Sequence, residues 1–372
     1  MKSEKISTFL QERIAAKDFP SAVYLVAEKG EIVFQDALGF AVVEPELIEA
    51  RIDTIYDLAS LTKPLVTGLL CVKLVEQNKL KPGEVVIGYR SYTSPDKDIA
   101  VRDLLTHTSG FSAWKPFYLI ADTTTPRLMF EITAKELPEN EPLARVIYSD
   151  LNFIELGLLL EGRYSLGRLD AIAKTEIFEP LNLKNTFFNP PKDLQKRIAA
   201  NEKGNEYEKQ MCASLGYDVS NHKWRDYQIW GEVHDGNCHF MNGISGHAGL
   251  FSTVEETFKL AQQFLPETTQ LLKPETCRIF RTNYTSDFNE ARSVAFQLAE
   301  TKDSTASEAL AKDSFGHLGF TGTSLWIDPS KERIYILLTN RTHARRLPFA
   351  NINDARRRFH ELAARALDEK QK

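Results

Sequence analysis

Cysteine is scarce in this chain. Four residues, Cys71, Cys212, Cys238 and Cys277, are scattered through 372 positions without a Cys-x-x-Cys pair, so a disulfide framework is not what organises the fold. No apolar run reaches the ~18 residues that a membrane-spanning helix needs. The opening stretch, MKSEKISTFLQERIAAKDFP, has no apolar core followed by a small-residue cleavage site, so no signal peptide is expected. Charge of one sign is missing as well. The 51 acidic and 46 basic residues leave a net −5, which argues against a dedicated nucleic-acid binder. There is no internal repeat, low-complexity segment or flexible linker. What remains is an ordinary globular composition, 42% hydrophobic and 26% charged, in a chain long enough for one large domain or two interlocked ones. The expectation is a cytoplasmic protein with no membrane and no nucleic-acid partner, acting on a small molecule or peptide, its oligomeric state open.

Ile6, Leu10 and Ile14 recur at helical spacing among polar residues, which predicts an amphipathic helix over 4–16. The stretch 21–41 reads as two strands turning at Lys29-Gly30. From 61 to about 75 the residues are apolar on nearly every side, as in a central helix, and Pro64 is tolerated only near its start. Residues 150–164 look helical, as do 253–265, where Thr253 followed by Glu256 forms a capping-box pattern. Two strands are expected at 317–328 and 333–341, and a closing helix at 353–370. This order suggests an α/β domain assembled from both chain ends, 1–75 and 250–372. Residues 76–249 would form a mostly helical second lobe, with a cleft at the junction.

Inside the apolar stretch IYDLASLTKPLVTGLL stand Ser60 and Lys63, one helical turn apart. A serine hydroxyl is a poor nucleophile until a neighbour takes its proton. A lysine amine can do so only when neutral, and burial beside a second cation lowers its proton affinity. The helix N-terminus favours negative charge developing on the serine. The plain alternative is a serine cap with a lysine reaching out to solvent.

The rest of the chain bears on that choice. DLASLTK (57–63), VRDLLTHTSGF (101–111), YSDLNFIELGLLLE (148–161), GEVHDGNCHFMNGISGHAGLFST (231–253) and FGHLGFTGTSLWIDP (315–329) resemble, in order, segments of the serine β-lactamase and penicillin-binding protein superfamily. The likeness is to its β-lactamase-related branch of esterases and peptidases. It implies an α/β (α+β) fold, an antiparallel sheet flanked by N- and C-terminal helices plus a mostly helical lobe. It also implies a serine hydrolase working through an acyl-enzyme on small amides or esters, with muropeptide-like peptides, D-amino-acid amides and short esters as candidates, and without metal or organic cofactor. In that light Ser60 is the nucleophile, and Lys63 and Tyr148 share the acid–base work, with either a tyrosinate or a neutral lysine as base. His317 would polarise Tyr148 or meet a substrate carboxylate. The amides of Ser60 and Phe320 would form the oxyanion hole, with Gly319 leaving the strand edge open.

Two departures matter. Asp150 replaces the asparagine of the Tyr-x-Asn motif, where it could hold Lys63 or a substrate amine. Leu318 lacks the hydroxyl of a Lys-Thr-Gly motif. Both disfavour β-lactam hydrolysis and keep open a second reading, an inactive sensor or binding protein for peptidoglycan fragments. His234, Asp235, Cys238, His239 and His247 lack zinc-site spacing and read as a cleft-lining loop. His107 reads as a structural turn residue, Arg345 and Arg346 as a solvated loop, and the arginines of ARRRF (355–359) as a surface face.

Overall fold

The expected N-terminal helix is present in the computed structural model as Glu4–Ala15, with Ile6 and Leu10 buried on one face. The structure describes residues 1–85, 99–121, 143–164 and 167–370. Residues 86–98 and 122–142, in the stretch assigned to the second lobe, lie outside the described residues.

Strands β1 (Ser21–Glu28) and β2 (Glu31–Val42) form the hairpin, with Lys29 and Gly30 at φ 52° and 79°. That left-handed pair matches the twist of the two strands it joins. The remaining strands are β3 (Ile48–Glu49), β4 (Tyr56–Asp57), β5 (Phe187–Phe188), β6 (Leu250–Ser252), β7 (Gln297–Leu298), β8 (Phe315–Leu318), β9 (Ser324–Asp328) and β10 (Arg333–Thr339). Seven of them make an antiparallel sheet in the order β3-β2-β1-β10-β9-β8-β7, and β4-β6-β5 form a small second sheet. The pairing of β1 with β10, Ala22 opposite Thr339, joins the two ends of the chain.

Alternation along a strand sends successive side chains to opposite faces. Tyr24 and Val26 pack with Ile6, Leu10, Trp326 and Phe359 beneath the N-terminal helix and the closing helix Asn353–Lys370. Val23 and Leu25 pack with Leu65, Leu69 and Ile336 against the central helix. Because both faces are covered, β1 and β10 read in sequence as nearly unbroken apolar runs rather than as alternation.

Three details differ from the sequence reading. The run 317–328 is two strands, β8 and β9, because residues 319–323 turn sharply with Gly322 at φ 115°. The central helix begins irregularly: a tight turn Ala59–Leu61, a wide π-helical turn Lys63–Gly68, then regular helix Leu69–Glu76. Wide turns of this kind recur at functional sites. Thr253 caps the helix Val254–Ala261, accepting from the Glu256 amide at 3.3 Å. The Glu256 carboxylate, however, is taken by the amides of Lys184 and Asn185 and the Thr186 hydroxyl. No described helix is long and apolar enough to cross a membrane.

Candidate active site

Ser60 sits where β4 ends and the central helix begins, and two neighbours shape that corner. The Asp57 carboxylate accepts from the amides of Ala59 and His234, both at 2.8 Å. The β8–β9 turn bonds to the same corner through its hydroxyls, Thr321 to the Asp57 carbonyl at 2.8 Å and Thr323 to the Leu58 carbonyl at 3.0 Å. Ala59 is held at φ 48°, a conformation unfavourable for a residue with a Cβ and persistent only where the surroundings over-determine it. Gly319 approaches closely: a Cβ there would lie 2.0 Å from the Thr323 hydroxyl and 2.6 Å from the Leu58 carbonyl. Its glycine therefore lets the turn dock on the serine loop, a tighter constraint than an open strand edge.

Lys63 is completely buried. Its Nζ lies 3.0 Å from Ser60 Oγ, 3.0 Å from the His247 carbonyl and 2.7 Å from Asp150 Oδ1. Three acceptors for three N–H bonds describe an ammonium. Burial alone would lower its proton affinity, but the charge of Asp150, with Tyr148, outweighs it and holds the amine above the ordinary lysine value. The sequence left a neutral lysine and a tyrosinate beside a lysine ammonium both open as the base; in the resting structure the carboxylate at position 150 keeps the lysine charged.

Tyr148 immediately precedes the helix Asp150–Arg163 and is half-buried. Its hydroxyl is within hydrogen-bonding reach of Ser60 and Lys63, and the Lys63 ammonium is 5.1 Å from its ring centre. Burial raises its pKa, Lys63 opposes this and Asp150 adds to it, so the phenol stays protonated above the usual tyrosine range. His107 fixes the position of this segment. Its carbonyl accepts from the Ile147 amide at 2.9 Å, its Nδ1 from the Ser149 amide at 3.1 Å, and its ring packs 4.7 Å from that of Tyr148. His317 on β8 lies on the other side, its ring centre 5.7 Å from that of Tyr148. Its Nδ1 donates to the Leu318 carbonyl at 2.9 Å, leaving Nε2 as a buried lone pair without a protein partner among the described residues. Burial and the charges of Lys63 and Arg292 push its pKa well below the ordinary histidine value, so His317 is neutral and offers a carboxylate no charge.

Positive charge in the cleft comes instead from Arg292, Arg341 and Arg356, none of which the sequence analysis assigned to the site. Arg292 lies 5.5 Å from the Tyr148 ring centre and pairs with Glu290 at 2.6 Å. Arg341 donates from Nε to the Phe320 carbonyl at 2.7 Å. Arg356, the second residue of ARRRF, is 5% exposed and donates to the carbonyls of Gly319 and Thr323 at 2.6 and 2.9 Å. It is no surface arginine. Its helix buries Ala355, Phe359, Ala363 and Leu367, and one-turn spacing from Phe359 was the signal that could have placed it inward. Arg345 and Arg346 do not line this cleft, which has a volume of about 520 Å³.

The histidine-rich loop divides among separate partners. His234 pairs with Glu202, and His247 with Asp235, each at 2.9 Å. Asp235 also caps the helix Gly236–Phe240. Asp150, Asp235 and His247 bring potential ligand atoms within 4.8 Å of one another, and the cation this group faces is the Lys63 ammonium.

A comparison with protein families decides the membership: the β-lactamase family profile matches residues 6–357. This chain belongs to the β-lactamase family. Its family relatives include proteins provisionally named D-alanyl-D-alanine carboxypeptidase. One from Escherichia coli O157:H7 is 29% identical over 88% of this chain and 79% of its own length. Another, from Salmonella gallinarum, is 30% identical over 94% and 84%. Among solved structures, EstCE1, a hydrolase with promiscuous acyltransferase activity, superposes with a TM-score of 0.74 at 18% identity, covering 96% of this chain and 97% of that one. Unliganded simvastatin synthase (LovD) from Aspergillus terreus gives 0.70 at 17% identity, covering 99% and 98%. These two share the β-lactamase fold. The family and its hydrolase members identify the chain as a serine hydrolase.

Proposed function

We propose that the chain forms an acyl-enzyme on Ser60 and cleaves small amides or esters, foremost short peptides ending in a free carboxylate. The contact that carries this reading is the fully buried Lys63 Nζ, 3.0 Å from Ser60 Oγ, with Tyr148 alongside. In the resting state Lys63 is charged and Tyr148 neutral, so one member of the pair must lose a proton before it can accept that of Ser60. Attack joins Ser60 Oγ to the substrate carbonyl carbon. The serine proton passes to the Lys63–Tyr148 pair and from there to the leaving amine or alcohol. The amides of Ser60 and Phe320 would face the developing oxyanion; Arg356 steadies the peptide unit that carries the Phe320 amide through its bond to the Gly319 carbonyl, and Arg341 steadies the next unit through the Phe320 carbonyl. Arg341 and Arg356, bonded to backbone carbonyls and to Asn353, keep charge available for a substrate carboxylate. Muropeptide-like peptides suit that cleft and the names of the relatives. D-amino-acid amides and short esters would use the same serine. Cytoplasmic residence belongs to the same proposal, and four free, buried cysteines are compatible with it.

Fluorophosphonate labelling with peptide mapping should place the adduct on Ser60, and Ser60→Ala should abolish turnover of a short nitrophenyl ester. An adduct elsewhere, or an alanine variant as fast as the parent, refutes the proposal. The clamp of Asp150 on Lys63 favours a second reading, a peptidoglycan-fragment sensor without turnover. Binding of such a fragment with no hydrolysis over hours would select it.

A further inference from the structure

The two amides assigned to the oxyanion come from distant parts of the chain, Ser60 just after β4 and Phe320 in the β8–β9 turn. Such donors stabilise a developing charge only if their positions are fixed beforehand. His234 touches the supports of both. Its amide donates to one oxygen of the Asp57 carboxylate at 2.8 Å, and the other oxygen accepts from the Ala59 amide at 2.8 Å. Ala59 directly precedes Ser60, and its carbonyl shares a peptide unit with the Ser60 amide. The His234 ring stacks on the Phe320 ring, their centres 5.4 Å apart and their planes inclined by 25°.

Neither contact is loose. The His234 carbonyl accepts from Arg225 at 2.5 Å, and the same arginine holds the Val233 carbonyl at 2.7 Å. His234 Nε2 lies 2.9 Å from Glu202 Oε1, and the two residues are 3% and 5% exposed. Turning the ring away would leave that buried carboxylate without its partner, which is costly. Phe320 itself is half-buried, as are two other rings against it, Tyr207 at 4.9 Å and Phe349 at 6.2 Å. Of the three, His234 is the buried one, so it is the firm side of the Phe320 environment.

We infer that His234 is a positioning residue for acylation that couples the two oxyanion donors: its main chain braces the Ser60 corner through Asp57, and its ring, locked by Glu202, braces Phe320. This rests on the hydrolase reading. It gives the loop VHDGNCH (233–239) a task separate from that of Ser60, Lys63 and Tyr148. Those three make the bond and move the proton, whereas the loop fixes how far apart the two amides stand.

Single-turnover acylation by a short nitrophenyl ester tests this, with enzyme in excess so that deacylation does not enter. His234→Gln keeps a donor for Glu202 but removes the ring. It should lower the acylation rate constant by about tenfold to a hundredfold. The dissociation constant of the ester should stay within about twofold, because the amides act on the transition state more than on the resting carbonyl. Pairing Glu202→Met with His234→Phe restores a ring and removes both buried polar partners together, a change of little consequence for stability. That variant should recover the rate to within about threefold of the parent. Phe320→Leu should be as slow as His234→Gln, and combining the two should cost nothing further. An unchanged rate in His234→Gln, a loss confined to the dissociation constant, no recovery in the paired variant, or multiplying losses in the combined one overturns the inference. Should His234→Gln fold poorly, Phe320→Leu decides, since it leaves the pair with Glu202 intact; a parent-like rate there would overturn the inference too. A parent that is not acylated at Ser60 strikes the hydrolase reading and this inference with it, whereas parent-like variants strike this inference alone.

Discussion

Among single side chains, the aspartate at position 150 has the largest effect on the site's chemistry. An asparagine there would bond to Lys63 without adding charge. The aspartate pairs with it at 2.7 Å and raises the proton affinity of both Lys63 and Tyr148. The acylation rate should therefore climb with pH through and beyond neutrality, since one of the two must deprotonate first. Asp150→Asn should move that rising limb to lower pH by about 1–3, the usual effect of removing a charge at contact distance. A limb that does not move would mean that neither group is the base. A second side chain gives a stability prediction. Burial would raise the Asp235 carboxyl, but the His247 ring and the Cys238 amide outweigh it and hold it well below the usual range. A carboxyl depressed in the folded state contributes stability that is present above its unfolded value and is lost as pH falls through the folded one. Asp235→Asn, which keeps the helix cap, should lose about 1–3 kcal/mol at pH 7 in urea unfolding. The gap to the parent should narrow below about pH 4.

Three elements meet at the β8–β9 turn, which explains its sequence. The turn bonds to the serine loop through Thr321 and Thr323, receives Arg356 from the closing helix and is gripped at Phe320 by Arg341, just past β10. Gly319→Ala would push the turn off the Leu58 carbonyl, 2.6 Å from the new carbon. A misplacement of about 1 Å can lower activity by about 100-fold, and kcat/KM for a nitrophenyl ester should show a loss of that order. Overpacking should also lower stability, by about 1–3 kcal/mol. Wild-type activity in this variant would show that the turn has no part in positioning. Reading 317–328 as one strand missed this turn because Phe320, Thr321 and Thr323 have strand-like side chains, and the chain reverses at Gly322, whose φ of 115° only glycine adopts readily.

At the scale of the whole molecule, the sheet is closed by pairing across more than 300 positions, Ala22 with Thr339, and its two apolar faces are buried under separate layers of helices. Burial on that scale should shield the thiols. All four cysteines are buried and unpaired, and burial pushes the pKa values of Cys71 and Cys277 up to about 12. A thiol reagent at pH 8 should label few or none in the native protein and all four after denaturation. Fast labelling of the native chain would contradict this packing.

What could be read without coordinates was whatever depends on neighbours in sequence. The Lys29-Gly30 turn, the Ile6–Leu10 face, the Thr253 cap and the Ser60–Lys63 spacing are local, and the resemblance in motif order extended that reading to Tyr148 and His317. Tertiary structure alone decided the charges. Whether Lys63 is neutral depends on a carboxylate 87 positions away, and whether Arg356 faces water depends on two carbonyls of a distant turn. Proton affinity is set by burial and by charges within a few ångströms, and those distances exist only once the chain has folded.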